Sequence, residues 1–226
     1  MKTSNYIATA YFIFIFGSTL TLYVLSKLHR QDGGYMPKKF SRVEKKLDKF
    51  SVIVAEKGAR FHLVTDSVFK IEASLSENDS SYHFPVYKIE NDTFYIQSSN
   101  YEHINPEIHC SSITSIIGKS KNRIDLDRFV ADSLILDINK GNVYGSFSEK
   151  GIVNLKIKAT NYSDVYLQGS KIENLKITLY QSKARVYNND VKTIDAKLFN
   201  KSDLFGKAKN KVYLQTDSTS NYRVED

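Results

Sequence analysis

The sequence predicts an all-β protein: a single-stranded β-solenoid (β-helix) of about 18–21 residues per rung, preceded by a β-rich N-terminal region and one N-terminal transmembrane helix. Three observations carry that expectation. A self-similar pattern of short strands runs through the second half of the chain, no segment after residue 50 keeps a helical period, and a long uncharged apolar run stands near the start. The many aromatic side chains, 15 Tyr and 13 Phe, with only 3 Pro, agree with β structure.

The first element is "YIATAYFIFIFGSTLTLYVL", Tyr6 to Leu25. It carries no charge over about 20 residues, the length a helix needs to cross a hydrocarbon core. Tyr6 and Tyr23 stand near its ends, where amphipathic rings favour the interface. A secretory signal is the rival reading, with Val24-Leu25-Ser26 as a weak small-residue cleavage site, but the run exceeds an ordinary signal core and favours an uncleaved anchor. No Cys lies nearby for a lipoprotein anchor. Residues 1–30 are therefore expected to be a single-pass anchor with short flanks, and membrane lipid is its expected partner.

Residues 31–47, beginning "QDGGYMPKK", are expected to be a basic flexible linker, because Gly33, Gly34 and Pro37 break regular structure. The formal charge of +7 is concentrated around it. Residues 27–49 hold eight Lys and Arg against three acidic groups, a net of +5, whereas residues 50–226 hold 23 basic and 22 acidic side chains, a net of +1. A nucleic-acid partner for the body of the protein thereby loses its main support, and none is expected. Heavier positive charge after the apolar run also favours a cytoplasmic body under the positive-inside rule.

Residues 48–110 are expected to form a β-rich N-terminal part. "FSVIVAEKG", "ARFHLVTD", "SVFKIEASL", "FPVYKIEND" and "TFYIQSS" read as strands, with Asn91-Asp92 as a hairpin turn. The one cysteine, Cys110, excludes an intrachain disulfide and a multi-Cys zinc site.

Residues 111–226 hold the repeats. Aligned on alternate apolar positions, the first strand of each copy reads Ile113/Ser115/Ile117, Leu134/Leu136/Ile138, Leu155/Ile157/Ala159, Leu175/Ile177/Leu179, Ile194/Ala196/Leu198 and Val212/Leu214/Thr216, at intervals of 21, 21, 20, 19 and 18 residues. After a polar corner a second ladder follows: Ile124/Leu126, Val143/Gly145, Val165/Leu167, Ala184/Val186 and Leu204/Gly206. Each copy offers only about five apolar side chains, too few to offset its ordering entropy alone. Stacked coils solve this by burying each inner face against its neighbours, while Lys156, Lys158, Lys176, Asp195 and Lys197 point outwards. The corners "NKGN", "NYSD" and "YNND" supply residues that tolerate bent backbone. The same strands could also form an antiparallel meander or sandwich.

Two stretches carry a family resemblance. "ATNYSDVYLQGSKIENLKITLYQSKARVYNNDVKTIDAKLFNKSDLFGKAKNKVYL", with the opening strands "LDKFSVIVAEKGARFHLVTD" and "VYKIENDTFYIQS", resembles the auto-transporter adhesin head domain known as the GIN domain, common in Bacteroidetes envelope proteins. The resemblance covers most of residues 48–226. Where that family has a Gly-Ala-Ser-like corner, this chain has Asn161-Tyr162-Ser163 and Gln181-Ser182-Lys183. It implies a β-helical, exported, non-enzymatic protein, and so a periplasmic body anchored in a bacterial inner membrane, against the charge bias.

Chemistry-bearing motifs are sparse. "YEHINPEIHC" gathers Glu102, His103, Glu107, His109 and Cys110, but Pro106 divides the two histidines and the spacing matches no standard metal-ligand motif, so it is expected to be a connector and no metal is expected. His62 and His83 stand alone and read as strand-surface residues, and no phosphate loop, G-x-S-x-G or H-E-x-x-H occurs. No catalytic residue and no cofactor is expected.

Some solenoids cleave polysaccharides, which needs paired carboxylates on neighbouring rungs. The outward columns Thr114, Ile135, Lys156, Lys176, Asp195 and Ile116, Asp137, Lys158, Thr178, Lys197 contain no such pair. A third column runs Asp125, Tyr144, Tyr166, Arg185, Phe205. Tyr144, Tyr166, Arg185 and Phe205 make a candidate binding surface for a sugar or an envelope protein; the plainer reading is that these rings are covered by the preceding strands or ladder on one another. The expectation is a membrane-anchored, non-enzymatic envelope protein with a structural or adhesive solenoid surface, the alternatives being a glycan hydrolase or lyase and a cytoplasmic-facing scaffold. The end of the solenoid at "KVYLQTDSTSNYRVED" needs polar capping or a second subunit, which makes oligomerisation an open expectation.

Overall fold

A computed structural model of the chain describes residues 2–32, 40–76, 83–98, 105–169, 171–187 and 190–224. Two compact units are present, Met1–Lys39 and Phe40–Asp226.

The first unit is helix α1, Lys2–Asp32, which contains both Tyr6 and Leu25. Its stretch Thr9–Lys27 has a mean hydropathy of 1.6 and no cover from the protein. Phe12, Phe14 and Phe16 are all exposed. A helix this long and this apolar suits a bilayer span or a signal sequence.

The second unit is all β. Its strands in chain order are β1 (Phe40–Lys46), β2 (Val52–Ala55), β3 (Arg60–Thr65), β4 (Lys70–Ser76), β5 (Tyr87–Glu90), β6 (Thr93–Ile96), β7 (Glu107–Cys110), β8 (Ser115–Gly118), β9 (Arg123–Phe129) and β10 (Ser133–Asn139). There follow β11 (Asn142–Phe147), β12 (Ile152–Thr160), β13 (Asp164–Gln168), β14 (Lys171–Tyr180), β15 (Lys183–Tyr187), β16 (Asp190–Phe199), β17 (Asp203–Phe205), β18 (Ala208–Thr216) and β19 (Asn221–Arg223). From β8 onwards the chain alternates between two sheets, so each rung is one strand in each. The first sheet has the order β1-β4-β7-β3-β9-β11-β13-β15-β17-β19 and the second β18-β16-β14-β12-β10-β8-β2-β6-β5. Pairing along the rungs is parallel, as a coil requires, and the sheets close their inner faces on one continuous core.

Register is set by the apolar alternation. Leu134, Leu155, Leu175 and Ile194 stand opposite one another on successive strands and are all buried. On the other sheet Ile124, Val143, Val165, Ala184 and Leu204 do the same. A slip of one residue would turn every one of these side chains towards water.

The corners use left-handed backbone at Lys140, Asn161, Tyr162, Gln181, Asn200 and Lys201, where a strand must turn within one or two residues. Gly151 at φ 77° is obligatory for a second reason: a Cβ there would lie 2.5 Å from the Lys171 carbonyl oxygen of the next rung. Inside the corners runs a column of buried serines. The backbone N–H of Gly141 donates to Ser163 Oγ (3.2 Å), that of Ser163 to Ser182 Oγ (3.2 Å), that of Ser182 to Ser202 Oγ (3.3 Å) and that of Ser202 to Ser220 Oγ (3.1 Å). The hydroxyls of Ser163, Ser182 and Ser202 donate in turn to carbonyls of their own rungs, Thr160, Tyr180 and Phe199, at 2.6–2.7 Å. Each turn is thereby tied to the next where the sheets cannot supply a ladder bond.

The β-rich N-terminal part joins the solenoid directly, β2 and β3 pairing in parallel with β8 and β9. Three expectations are corrected by this architecture. Residues 40–46, expected within a flexible linker, form β1 and pair with β4. At the start of β8 the N–H groups of Thr114 and Ser115 both donate to the Ser51 carbonyl, a bulge that absorbs one residue. Ile113 and Ile116 therefore face the core, Ser115 and Ile117 do not, and the outer columns begin with Ser115 and Ile117 in place of Thr114 and Ile116. On the last rung Val212 and Leu214 keep the expected register but are 37% and 44% exposed, because β18 is the edge of its sheet.

Antiparallel pieces close the opposite end. The β5–β6 hairpin turns through Asn91 (φ 48°) and Asp92 (φ 62°), and β1 and β4 extend the first sheet beyond β7. The edge strand β1 carries Arg42, Glu44, Lys45 and Lys46, charges that discourage further strand addition.

Candidate functional site

Parallel in-register stacking converts a one-residue pattern into a surface column. On the outer face of the first sheet Tyr144 stands opposite Asp125 on one side and Tyr166 on the other, and Tyr166, Arg185, Phe205 and Arg223 continue the line. The four expected surface residues, Tyr144, Tyr166, Arg185 and Phe205, are thus adjacent on neighbouring strands. All four are half-buried.

The rings also ladder on one another. Tyr144 and Tyr166 have centroids 6.5 Å apart at 42°, and Tyr166 meets Tyr187 at 5.5 Å and 48°. Guanidinium groups cover the ends of the column: Arg123 lies 4.9 Å from the Tyr144 centroid, and Arg223 and Arg185 lie 5.1 and 6.0 Å from Phe205. Arg185 is held in place by both carboxylate oxygens of Asp164 at 3.0 Å. Beside the column is a shallow cavity of about 590 Å³ lined by Arg123, Tyr144, Gly145, Tyr166 and Gln168, among others. Flat rings, fixed guanidinium groups and a cleft make a surface able to stack against planar or ring-shaped ligands while donating hydrogen bonds.

Sequence reasoning missed Arg123, Tyr187 and Arg223. Tyr187 was within reach of it, since it shares strand parity with Arg185 two positions earlier.

The outward face of the second sheet is different in character. Lys158 pairs with Asp137 at 3.2 Å and Lys176 with Asp195 at 3.7 Å, while Asn174 donates to Asn154 at 3.2 Å across the rung. These are exposed ion pairs between neighbouring strands.

Of the residues in "YEHINPEIHC", Glu102 and His103 lie outside the described residues, as does part of the corner "YNND". Cys110 points into the core, where burial pushes its thiol up to about 12. His109, one position earlier, points to the opposite face and joins a charged cluster with Asp66, Glu72 and Glu107. Glu72 is almost fully buried there, and its carboxyl is held below the usual carboxylate range chiefly by the hydrogen bond from Lys70. His62 pairs with Asp125 at 3.5 Å, and His83 is exposed.

The sequence matches no family model and no curated protein. Among solved structures the fold is similar to that of a candidate adhesin from Bacteroides fragilis, with a TM-score of 0.57 and 12% identity over 83% of this chain and 98% of that one. A candidate adhesin from Parabacteroides merdae (TM-score 0.48, 11% identity, 84% and 98% covered) and a candidate lipid-binding protein from Parabacteroides distasonis (0.47, 9%, 84% and 98%) are also similar. The likeness to the Bacteroides fragilis protein is one of fold, an all-β solenoid shared over almost the whole of that chain.

Proposed function

We propose that this chain is a membrane-anchored, exported and non-enzymatic envelope protein of the GIN-domain type, whose first-sheet outer face binds carbohydrate. The observation that carries the reading is the in-register column Tyr144, Tyr166, Arg185, Phe205, whose side chains are all partly exposed. Aromatic faces stack on the apolar faces of sugar rings, and the fixed Arg185 supplies directional donors beside them. Support for an adhesive role comes from the shared fold with the candidate Bacteroides fragilis adhesin and from the resemblance of residues 48–226 to the GIN family. The apolar helix α1 supports anchoring in, or export across, the bacterial inner membrane.

The test is a glycan array probed with detergent-solubilised full-length protein, followed by titration calorimetry on any hit. Loss of roughly 5–150-fold in affinity is expected for Tyr166→Ala and Phe205→Ala, each removing a stacking ring at a cost of about 1–3 kcal/mol. Binding to no glycan, or binding unchanged in both variants, would refute the carbohydrate reading; capture of a defined envelope protein lost in the same variants would assign the face to a protein partner. Protease added to spheroplasts distinguishes sidedness, since an exported body is cleaved and a cytoplasmic one is protected.

A further inference from the structure

The cluster around His109 lies at the other end of the same sheet and takes no part in the proposed carbohydrate face. Strand pairing creates it. Glu107 and His109 share the outer face of β7, and antiparallel β4 sets Glu72 directly opposite Glu107. One donor atom from each of Glu72, Glu107 and His109 lies within 4.8 Å of the other two. Glu72 comes from 35 residues before Glu107, so no local spacing announces the group.

The imidazole supplies the decisive detail. Its Nδ1 lies 3.1 Å from Asp66 Oδ2, a contact that orients the ring and leaves the other nitrogen, Nε2, on the side of the two glutamates. That atom is buried, has no hydrogen-bond partner, and faces Glu107 Oε2 at 3.6 Å and Glu72 Oε1 at 3.8 Å. The His109 side chain is 10% exposed and that of Glu72 5%, while Glu107, at 44%, leaves the group open to solvent on one side. A buried imidazole nitrogen with no hydrogen-bond partner, facing two carboxylates, is an arrangement that a cation among the three would complete, although the facing oxygens of Glu107 and Glu72 already meet Arg42 and Lys70 respectively, which an entering ion would have to displace.

The spacing fits an ion. Two ligand atoms each about 2.0–2.2 Å from a tetrahedral metal stand roughly 3.4 Å apart, close to the observed separations and beyond hydrogen-bond length. The charge fits as well. Glu44, Asp66, Glu72 and Glu107 face Arg42 and Lys70, which leaves two negative charges in excess. Arg42 bridges Glu72 and Glu107, but its side chain is 62% exposed and free to swing into solvent. Asp66 would then orient the ligating histidine from behind, as outer carboxylates commonly do.

We propose that His109, Glu72 and Glu107 form a site for a divalent transition-metal ion of the zinc class, with Asp66 positioning the imidazole and water completing the coordination. Imidazole and carboxylate donors suit such an ion better than calcium or magnesium. Bound there, the metal would pin β4 to β7 and lock the antiparallel cap onto the solenoid.

The experiment uses full-length protein in detergent, its purification tag removed, stripped with chelator and then dialysed against zinc chloride alone at pH 7.5. One zinc per chain by elemental analysis and a rise in Tm are expected, and cobalt in place of zinc should give tetrahedral visible absorption. His109→Gln should abolish stoichiometric binding, and Asp66→Asn should weaken it by about 10–100-fold. Glu107→Gln, at a side chain 44% exposed and so tolerant of change, should weaken binding at least about tenfold even if His109→Gln fails to fold. No stoichiometric zinc at millimolar concentration, or zinc binding unaltered in Glu107→Gln, overturns the proposal; the first result, with a doubly protonated His109 by NMR, would show that a proton fills the gap.

Discussion

Replacing Ser182 by Ala tests the corner column directly. The hydroxyl of Ser182 accepts the Ser163 N–H at 3.2 Å and donates to the Tyr180 carbonyl at 2.7 Å, and the residue is 2% exposed. Alanine keeps the volume and the backbone but removes both partners at once. The Ser163 N–H is left in a place that water cannot reach, which costs about 1–3 kcal/mol, and loss of the donor to Tyr180 adds about 0.5–1.5 kcal/mol. An overall destabilisation of roughly 2–4 kcal/mol is expected in denaturant unfolding of the full chain. Because solenoid turns interact mainly with their neighbours, the effect should be localised. Amide exchange at Ser163 and Lys183 should accelerate, while exchange at Ile53 and Phe61, in the distant first rungs, should keep its rate. A change below about 0.3 kcal/mol, or uniform acceleration throughout the chain, would refute the idea that the serines are structural ties between turns.

Core position should dominate over residue type. Leu155→Ala, at a side chain 1% exposed between Leu134 and Leu175, should cost about 2–5 kcal/mol, whereas Leu214→Ala, at 44% exposure on the edge strand, should cost less than about 1 kcal/mol, both read by chemical denaturation. The Asp217 carboxyl accepts the Asn200 N–H at 2.6 Å, which with the Thr219 contacts lowers it to about 2. Its contribution to the final corner should therefore be complete above about pH 4, fade as the pH falls towards 2, and vanish from the pH profile of Asn200 amide exchange in Asp217→Asn. Cys110, fully buried with its thiol pushed up to about 12, should resist iodoacetamide in the native chain at pH 8 and react fully once unfolded.

The repeat was legible because its cause is simple. A strand shows its inner face every second residue, and a coil repeats that face at the length of its circumference, so Leu134, Leu155 and Leu175 announce both the strand and the stack. The aromatic column follows from the same arithmetic, since equal phase in the repeat means adjacency on the surface. Where a bulge absorbs a residue, as at Thr114 and Ser115, the arithmetic fails by one, and nothing in a pattern of apolar letters marks where two amides share one carbonyl.

The sequence by itself determined the periodic half: inward and outward positions, the corners and an apolar helix ahead of them. Tertiary structure alone decided what depends on contacts between segments of unlike phase. β4 and β7 approach antiparallel from either side of a long connection, and only their pairing sets Glu72 beside Glu107 and His109. Likewise, only the stack shows that the small corner serines are buried and that their hydroxyls accept backbone N–H groups from the preceding turn. Periodicity encodes what each residue shares with its counterpart one coil away; it carries no information about partners that occur once.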